Sequence, residues 1–209
     1  NNLINESHKL KQRILFEKIP SGQMHLTSII EAMRDSLSIE VTYQSFWRDT
    51  PNTFEIHPYC IKVFKQRWYV IGYSPYKESV LIYALDRIKH IHINENKFQL
   101  PKNFDGEAFF MDSFGIVAGD GHKTENVLIK VYKIQDSYIR ALPLHHSQKE
   151  VESTSDYTIF SYHIKPSFDF RQELLSHGSE VEVLSPKWFR DEIAEIISAQ
   201  YDVYQSSKK

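Results

Sequence analysis

The chain has 209 residues, 41% of them hydrophobic and 13% aromatic, enough to fill one large core or two small ones. Its charged quarter nearly balances to a formal net charge of -2, which excludes general electrostatic attraction to nucleic acid or anionic membrane, so any anion site must be local. A single cysteine, Cys60, excludes an intramolecular disulfide, and no secretory signal, transit peptide or long apolar run is present; the expected compartment is the cytoplasm.

The chain begins at Asn1 without an initiator methionine, and Leu10, Ile14 and Leu15 fall at helical spacing. This stretch reads as a helix that needs a neighbour to cover it, in a chain whose natural N-terminal portion is absent. After the breaker Pro20-Ser21-Gly22, Leu26, Ile29, Ile30, Met33 and Leu37 predict an amphipathic helix, with Ser21 close enough to cap its start. Short β-patterned runs follow over residues 39–46, 53–59, 60–65, 67–73, 79–85 and 88–94. The breakers between them are of hairpin length, which predicts a small antiparallel barrel, closed or nearly so.

Period-two alternation sorts the faces of these strands. In 53–59 it places Phe54 and Ile56 on one side, with Glu55, His57 and Tyr59 on the other. In 67–73 it groups Trp68, Val70 and Gly72, the tryptophan as a core anchor, against Arg67, Tyr69, Ile71 and Tyr73. Arg67 and Tyr69 are thereby candidates for a common polar or partly open surface.

Residues 97–121 carry Pro101, Gly106 and Gly115 among Phe104, Phe109, Phe110 and Phe114 without a sustained period, and read as a linker. Beyond it the pattern is strand 127–132, helix 135–142, strands 145–152 and 157–165, helix 168–177, strand 180–184 and a long helix from Pro186. A β-α-β-β-α-β order is the split, ferredoxin-like arrangement. Gly178 stands where a helix-terminating glycine belongs, and Ser185-Pro186 reads as an N-cap and first-turn pair. Phe189, Ile193, Ile197, Tyr201 and Tyr204 give the last helix one apolar face, whose far end is a candidate contact for a second subunit. The expected division is a helical linker at 1–37, a barrel at 38–96, a linker at 97–122 and a ferredoxin-like domain at 123–209.

Arg67-Trp68-Tyr69-Val70-Ile71-Gly72-Tyr73, followed by Ile82-Tyr83-Ala84-Leu85-Asp86-Arg87-Ile88, resembles the WYL domain, named for a Trp-Tyr-Leu run; here Val70 takes the third place. His57-Pro58-Tyr59 followed by Val63-Phe64 resembles the strand before that run. His145-His146-Ser147-Gln148 and the stretch from His177 to Pro186 resemble the family's C-terminal extension domain. The resemblance implies an Sm-like or SH3-like barrel with a basic ligand surface, usually behind an N-terminal winged helix-turn-helix that binds promoter DNA. It also implies sensing of nucleic-acid fragments or nucleotide-like ligands, and homodimers. One departure is Ala84, where the family often has an arginine, which removes a bidentate donor for phosphate.

Arg67, Tyr69 and Arg87, with Tyr43, His57 and Tyr59 near in strand order, can form a small anion site, guanidinium groups taking phosphate and tyrosine rings stacking bases. The plainer alternative pairs Arg87 with Asp86 or a barrel carboxylate and leaves the tyrosines capping the core. His90 and His92 share a strand face without a third ligand, and His145-His146 at the start of a strand would point opposite ways, so no metal is expected. Cys60 has no histidine and carboxylate framework, and neither a Gly-x-Ser-x-Gly elbow nor a phosphate-cradling glycine loop occurs, so no catalysis and no cofactor are expected. The expectation is the ligand-sensing and dimerisation region of a bacterial transcription regulator, mainly β plus α+β, with no membrane partner. Its barrel would take a phosphate-bearing ligand, single-stranded nucleic acid or a nucleotide, and promoter DNA would be bound by the absent N-terminal domain. The rival is a protein-interaction module that takes no small ligand.

Overall fold

A computed structural model describes residues 19–118 and 121–206. The helix expected from Leu10, Ile14 and Leu15 lies outside the described residues. The chain divides into two compact units, residues 1–102 and 103–209.

In the first unit a 3-10 turn, Gln23–His25, leads into α1, Leu26–Asp35. Ser21 Oγ accepts a 3.4 Å hydrogen bond from Gln23 N, so it serves the 3-10 turn, and the helix expected to be capped by it starts without a side-chain cap. Leu37 also departs from the expected helical stripe, because Ser36 takes a left-handed φ of 55° and ends the helix, and Leu37 opens β1. The strands are β1 Leu37–Tyr43, β2 Asn52–Phe64, β3 Arg67–Ser74, β4 Ser79–Ala84 and β5 Ile88–Lys97, with a 3-10 turn, Leu85–Arg87, between the last two.

Their order is β4-β3-β2-β1-β5, every pairing antiparallel. The two runs expected at 53–59 and 60–65 are one strand, β2. The ladder to β3 skips a residue between Pro58 and Cys60, a bulge that accommodates a proline with no N–H to donate. One core takes Ile39 and Val41 from β1, Ile56 from β2, Val70 from β3, Tyr83 from β4 and Ile88 from β5. The long strand β2 pairs with β1 through residues 52–56 and with β3 through residues 57–64, so the sheet turns across it into a barrel-like form; Ile29 and Ala32 of α1 complete its filling.

The second unit holds α2 Gly106–Phe110, β6 Glu125–Tyr132, α3 Gln135–Ala141, β7 Lys149–Ser153, β8 Tyr157–Ile164, α4 Phe168–Ser176, β9 Val181–Ser185 and α5 Lys187–Ser206. The sheet order β7-β8-β6-β9, antiparallel throughout, is ferredoxin-like. Alternation does the sorting: Val127, Ile129 and Val131 of β6 and Phe160, Tyr162 and Ile164 of β8 are buried with Phe170 of α4 and Phe189 of α5. Within the stretch read as a linker, Asp105 caps α2 by accepting from Glu107 N at 2.8 Å and Ala108 N at 3.2 Å. Ser185 closes β9 instead of capping α5, and the Pro186 carbonyl accepts from Arg190 N at 3.1 Å.

His145 and His146 precede β7 in a turn, so the alternation expected of a strand does not apply to them. Their rings lie 4.1 Å apart between centroids, and both Nε2 atoms donate to the Met111 carbonyl, at 2.9 and 2.7 Å.

Asp136, in the first turn of α3, has a side chain only 1% exposed. Its Oδ2 accepts from Lys133 Nζ at 2.8 Å, from Thr158 Oγ1 at 2.9 Å and from Arg140 at 2.9 Å. The Lys133 bond, with those of Thr158 and Arg140, outweighs burial and holds the carboxyl well below the usual carboxylate range. A depressed carboxylate stabilises the fold above the unfolded value near 4 and loses that contribution as pH falls below it. Replacing it leaves two cations without their shared acceptor. Asp136→Asn is therefore expected to cost about 2 kcal/mol in urea unfolding at pH 7. The gap to wild type should narrow progressively below about pH 4.

Candidate ligand site

Of the six residues singled out from sequence, five fall into two groups, and the sixth, Tyr69, is buried. Arg67 opens β3, Tyr43 closes β1, and Arg87 ends the 3-10 turn, which the barrel's curvature brings beside both. Gln44 N donates to the Arg87 carbonyl at 3.0 Å, which fixes the turn against the end of β1. His57 and Tyr59 form the other group: the His57 ring stacks on Phe98 at 5.1 Å and lies 5.8 Å from Tyr73, and Tyr59 is 5.9 Å from Phe98. Tyr73 stands six residues along β3 from Arg67, about 20 Å at the strand rise, so one phosphate cannot touch both groups.

Charge within the first group is unevenly available. Arg67 donates to Asp86 Oδ2 at 2.5 Å, with side chains 33% and 13% exposed. Partial burial is the largest single influence and opposes its charge, but the Asp86 hydrogen bond together with the electrostatic pull of Tyr69, Asp86 and Tyr43 outweighs it and holds the guanidinium above its ordinary pKa. The pairing weighed for Arg87 is thus made by Arg67. Arg87 instead lays its guanidinium over the Phe46 ring at 3.8 Å, and its buried Nε has no hydrogen-bond partner among the described residues. Burial raises the Tyr43 hydroxyl pKa, against the pull of the neighbouring Arg87 charge.

Tyr69 is 7% exposed, so the expected open surface around it is closed. Ala84 stands directly opposite Tyr69 in the β3–β4 ladder and is itself buried, which locates where the missing arginine would project. Sequence reasoning missed Phe46 and Trp47. The run read as strand through residue 46 ends at Tyr43, and the loop that follows presents Phe46 at 73% exposure and Trp47 at 94%, next to Arg48. Two large aromatics followed by an arginine between polar breakers were the available signal. Stacking surface beside a cation suits bases and phosphates together.

The turn that carries Arg87 is also clamped from the N-terminal side. Ser21 O accepts from Trp68 N at 3.2 Å, and His25 Nε2 donates to the Ile88 carbonyl at 2.9 Å. Between them Gly22, at φ 72°, lies so close to the turn that a Cβ there would fall 2.3 Å from the Leu85 carbonyl carbon. Among the described residues no cluster of three His, Cys, Asp or Glu side chains could hold a metal ion, and no helix is long and apolar enough to cross a membrane.

Two family models match the chain: the WYL domain over residues 24–93 and the WCX domain over residues 123–200, together about seven-tenths of it. No curated protein matches. Among solved structures, a protein described as CRISPR Cas-related is similar at 12% identity and a TM-score of 0.50, over 90% of this chain and 53% of that one. Proteasome accessory factor B/C (PafBC) of Arthrobacter aurescens matches at 18% identity and a TM-score of 0.38, over 89% of this chain and 28% of that one. The chain thus spans about a quarter to a half of the length of these structures.

A methyl group at position 22 meets both an unfavourable φ and the backbone of the turn. Gly22→Ala is expected to destabilise the first unit by about 2 kcal/mol or more, read as a lowered urea midpoint at unchanged m-value. An unchanged midpoint would mean that the entry segment and the turn are not held in register.

Proposed function

The chain belongs to the WYL-domain family, a WYL domain followed by a WCX domain, and we propose that it is the sensing region of a transcription regulator whose barrel binds single-stranded nucleic acid at Arg87. The observation that carries this reading is Arg87 itself: a guanidinium stacked on an exposed ring, with a buried Nε that no described residue satisfies, beside a loop bearing Trp47 and Arg48. A phosphate would complete the guanidinium's hydrogen bonding, and the neighbouring bases would stack on Phe46 and Trp47. A nucleotide offers the same two chemistries at a smaller scale. The reading is of a binding protein, in the cytoplasm and without a cofactor.

In such a regulator, promoter DNA would be read by a winged helix-turn-helix joined to this region. The ligand would act by binding one of two arrangements more tightly than the other, most simply within a homodimer. The exposed Ile197, Tyr201 and Tyr204 on α5 supply a dimer surface. They also favour the second reading, a dimerisation or docking module that takes no small ligand.

Fluorescence anisotropy with short labelled single-stranded DNA at two salt concentrations separates the two. Ligand sensing predicts affinity that falls with salt, by a log–log slope of about 0.7 per phosphate contacted. Arg87→Ala should weaken binding more than Arg67→Ala, because Asp86 already occupies Arg67, and Phe46→Ala with Trp47→Ala should cost about 1–3 kcal/mol for each base unstacked. Absence of binding at both salts, together with a dimer dispersed by Tyr201→Asp, would establish the docking module instead.

A further inference from the structure

We propose a second ligand site at the mouth of the barrel, sharing Arg48 with the loop beside Arg87 but lined without Arg87 itself, that takes a planar aromatic ring carrying a single negative charge. A cavity of about 560 Å³ opens where the loop before β2 and the β3–β4 turn approach each other. This is within the size range of small-molecule sites, which form preferentially in barrel mouths.

Its floor is apolar and aromatic. Phe54 and Tyr83 lie 5.4 Å apart between ring centroids, and Leu81 completes the surface. The Tyr83 hydroxyl is hydrogen-bonded with the side chain of Ser74, which also lines the cavity. At the rim Tyr76 is 82% exposed, a ring with one face available to a planar guest.

The rim also sets the sign of the charge. Arg48 and Lys77 both line the cavity, against the single carboxylate of Glu55. Glu55 itself lies 3.6 Å from His57 Nε2. Lys77 Nζ sits 5.1 Å from the Tyr76 ring centroid, so the cation and the ring reach a ligand from the same side. One anionic group balances the rim. A polyanion such as an oligonucleotide backbone would bring excess charge against Glu55 and has no path to the apolar floor, whereas an aromatic carboxylate presents a flat apolar body and one charged end.

The test is isothermal titration calorimetry of the whole chain with 2-naphthoate and, separately, with 2-naphthylmethylamine, a cation of the same shape. The site predicts that naphthoate binds at least about tenfold tighter than the amine. The Arg48→Glu/Lys77→Glu variant should weaken naphthoate about tenfold or more; both positions are exposed, so the fold is not at stake. Arg87→Ala should leave naphthoate affinity unchanged, which keeps this result distinct from the fate of the nucleic-acid reading. Equal affinity for acid and amine, indifference to the double charge reversal, a parallel loss in Arg87→Ala, or no binding heat at millimolar naphthoate would each overturn the proposal.

Discussion

Asp86 sits with one carboxylate oxygen on Arg67 and the other buried with no hydrogen-bond partner among the described residues, in a turn of only three residues between β4 and β5. Taking a carboxylate this far out of water is costly unless a cation accompanies it, so Arg67 cannot leave without stranding the charge. The pair ties the first residue of β3 to the connection between the sheet's two edge strands, and the curl of the barrel depends on that connection. It also decides which guanidinium is available. In a chain whose overall charge is close to neutral, Asp86 thus takes up the charge of Arg67, while the Arg87 guanidinium lies over Phe46.

The two units solve their packing problems differently. The barrel draws on all five strands and α1 for one core, and Asp86 Oδ1 and Arg87 Nε at its turn lack hydrogen-bond partners among the described residues, as do Ser113 Oγ, Ser167 Oγ, Arg171 Nε and His177 Nε2 of the second unit. The second unit builds a one-sided sheet in regular alternation and places its buried charge, Asp136, among three donors. A buried polar group with its hydrogen bonds complete makes for rigidity, while one with capacity to spare is where a ligand gains most.

Much of the architecture was legible because periodicity is a direct imprint of burial. The β-α-β-β-α-β order was read from the sequence pattern, and in the fold alternate residues of β6 and β8 are the buried ones. What alternation could not show is where a strand stops or bends. The β propensity of residues 39–46 continues through Phe46, yet the ladder ends at Tyr43 because Gln44 N turns to the Arg87 carbonyl, a partner more than forty residues away. The β2 bulge, the displaced Ser21 cap and the shared carbonyl of His145 and His146 are of the same kind: local pattern yields to a contact made elsewhere. The six candidate site residues were chosen by strand order, which carries no distance along the strand. In the fold Tyr43, Arg67 and Arg87 gather at one place, His57 and Tyr59 lie near Phe98, and Tyr69 is buried.

Gly22 has no side chain to hold it off the turn, and the bonds at Ser21 and His25 pin it on either flank. Chain entry and Arg87 turn therefore behave as one stiff joint, without slack to absorb a displacement on either side. If the barrel takes its ligand at Arg87 as proposed, a displacement at Ser21 would reach the guanidinium and a ligand that reseats the guanidinium would move Ser21; by reciprocity the two effects would be equal in free energy. On the proposed reading the barrel would be geared as well as shaped, and the affinity of its site would depend on the mechanical load carried at its entrance.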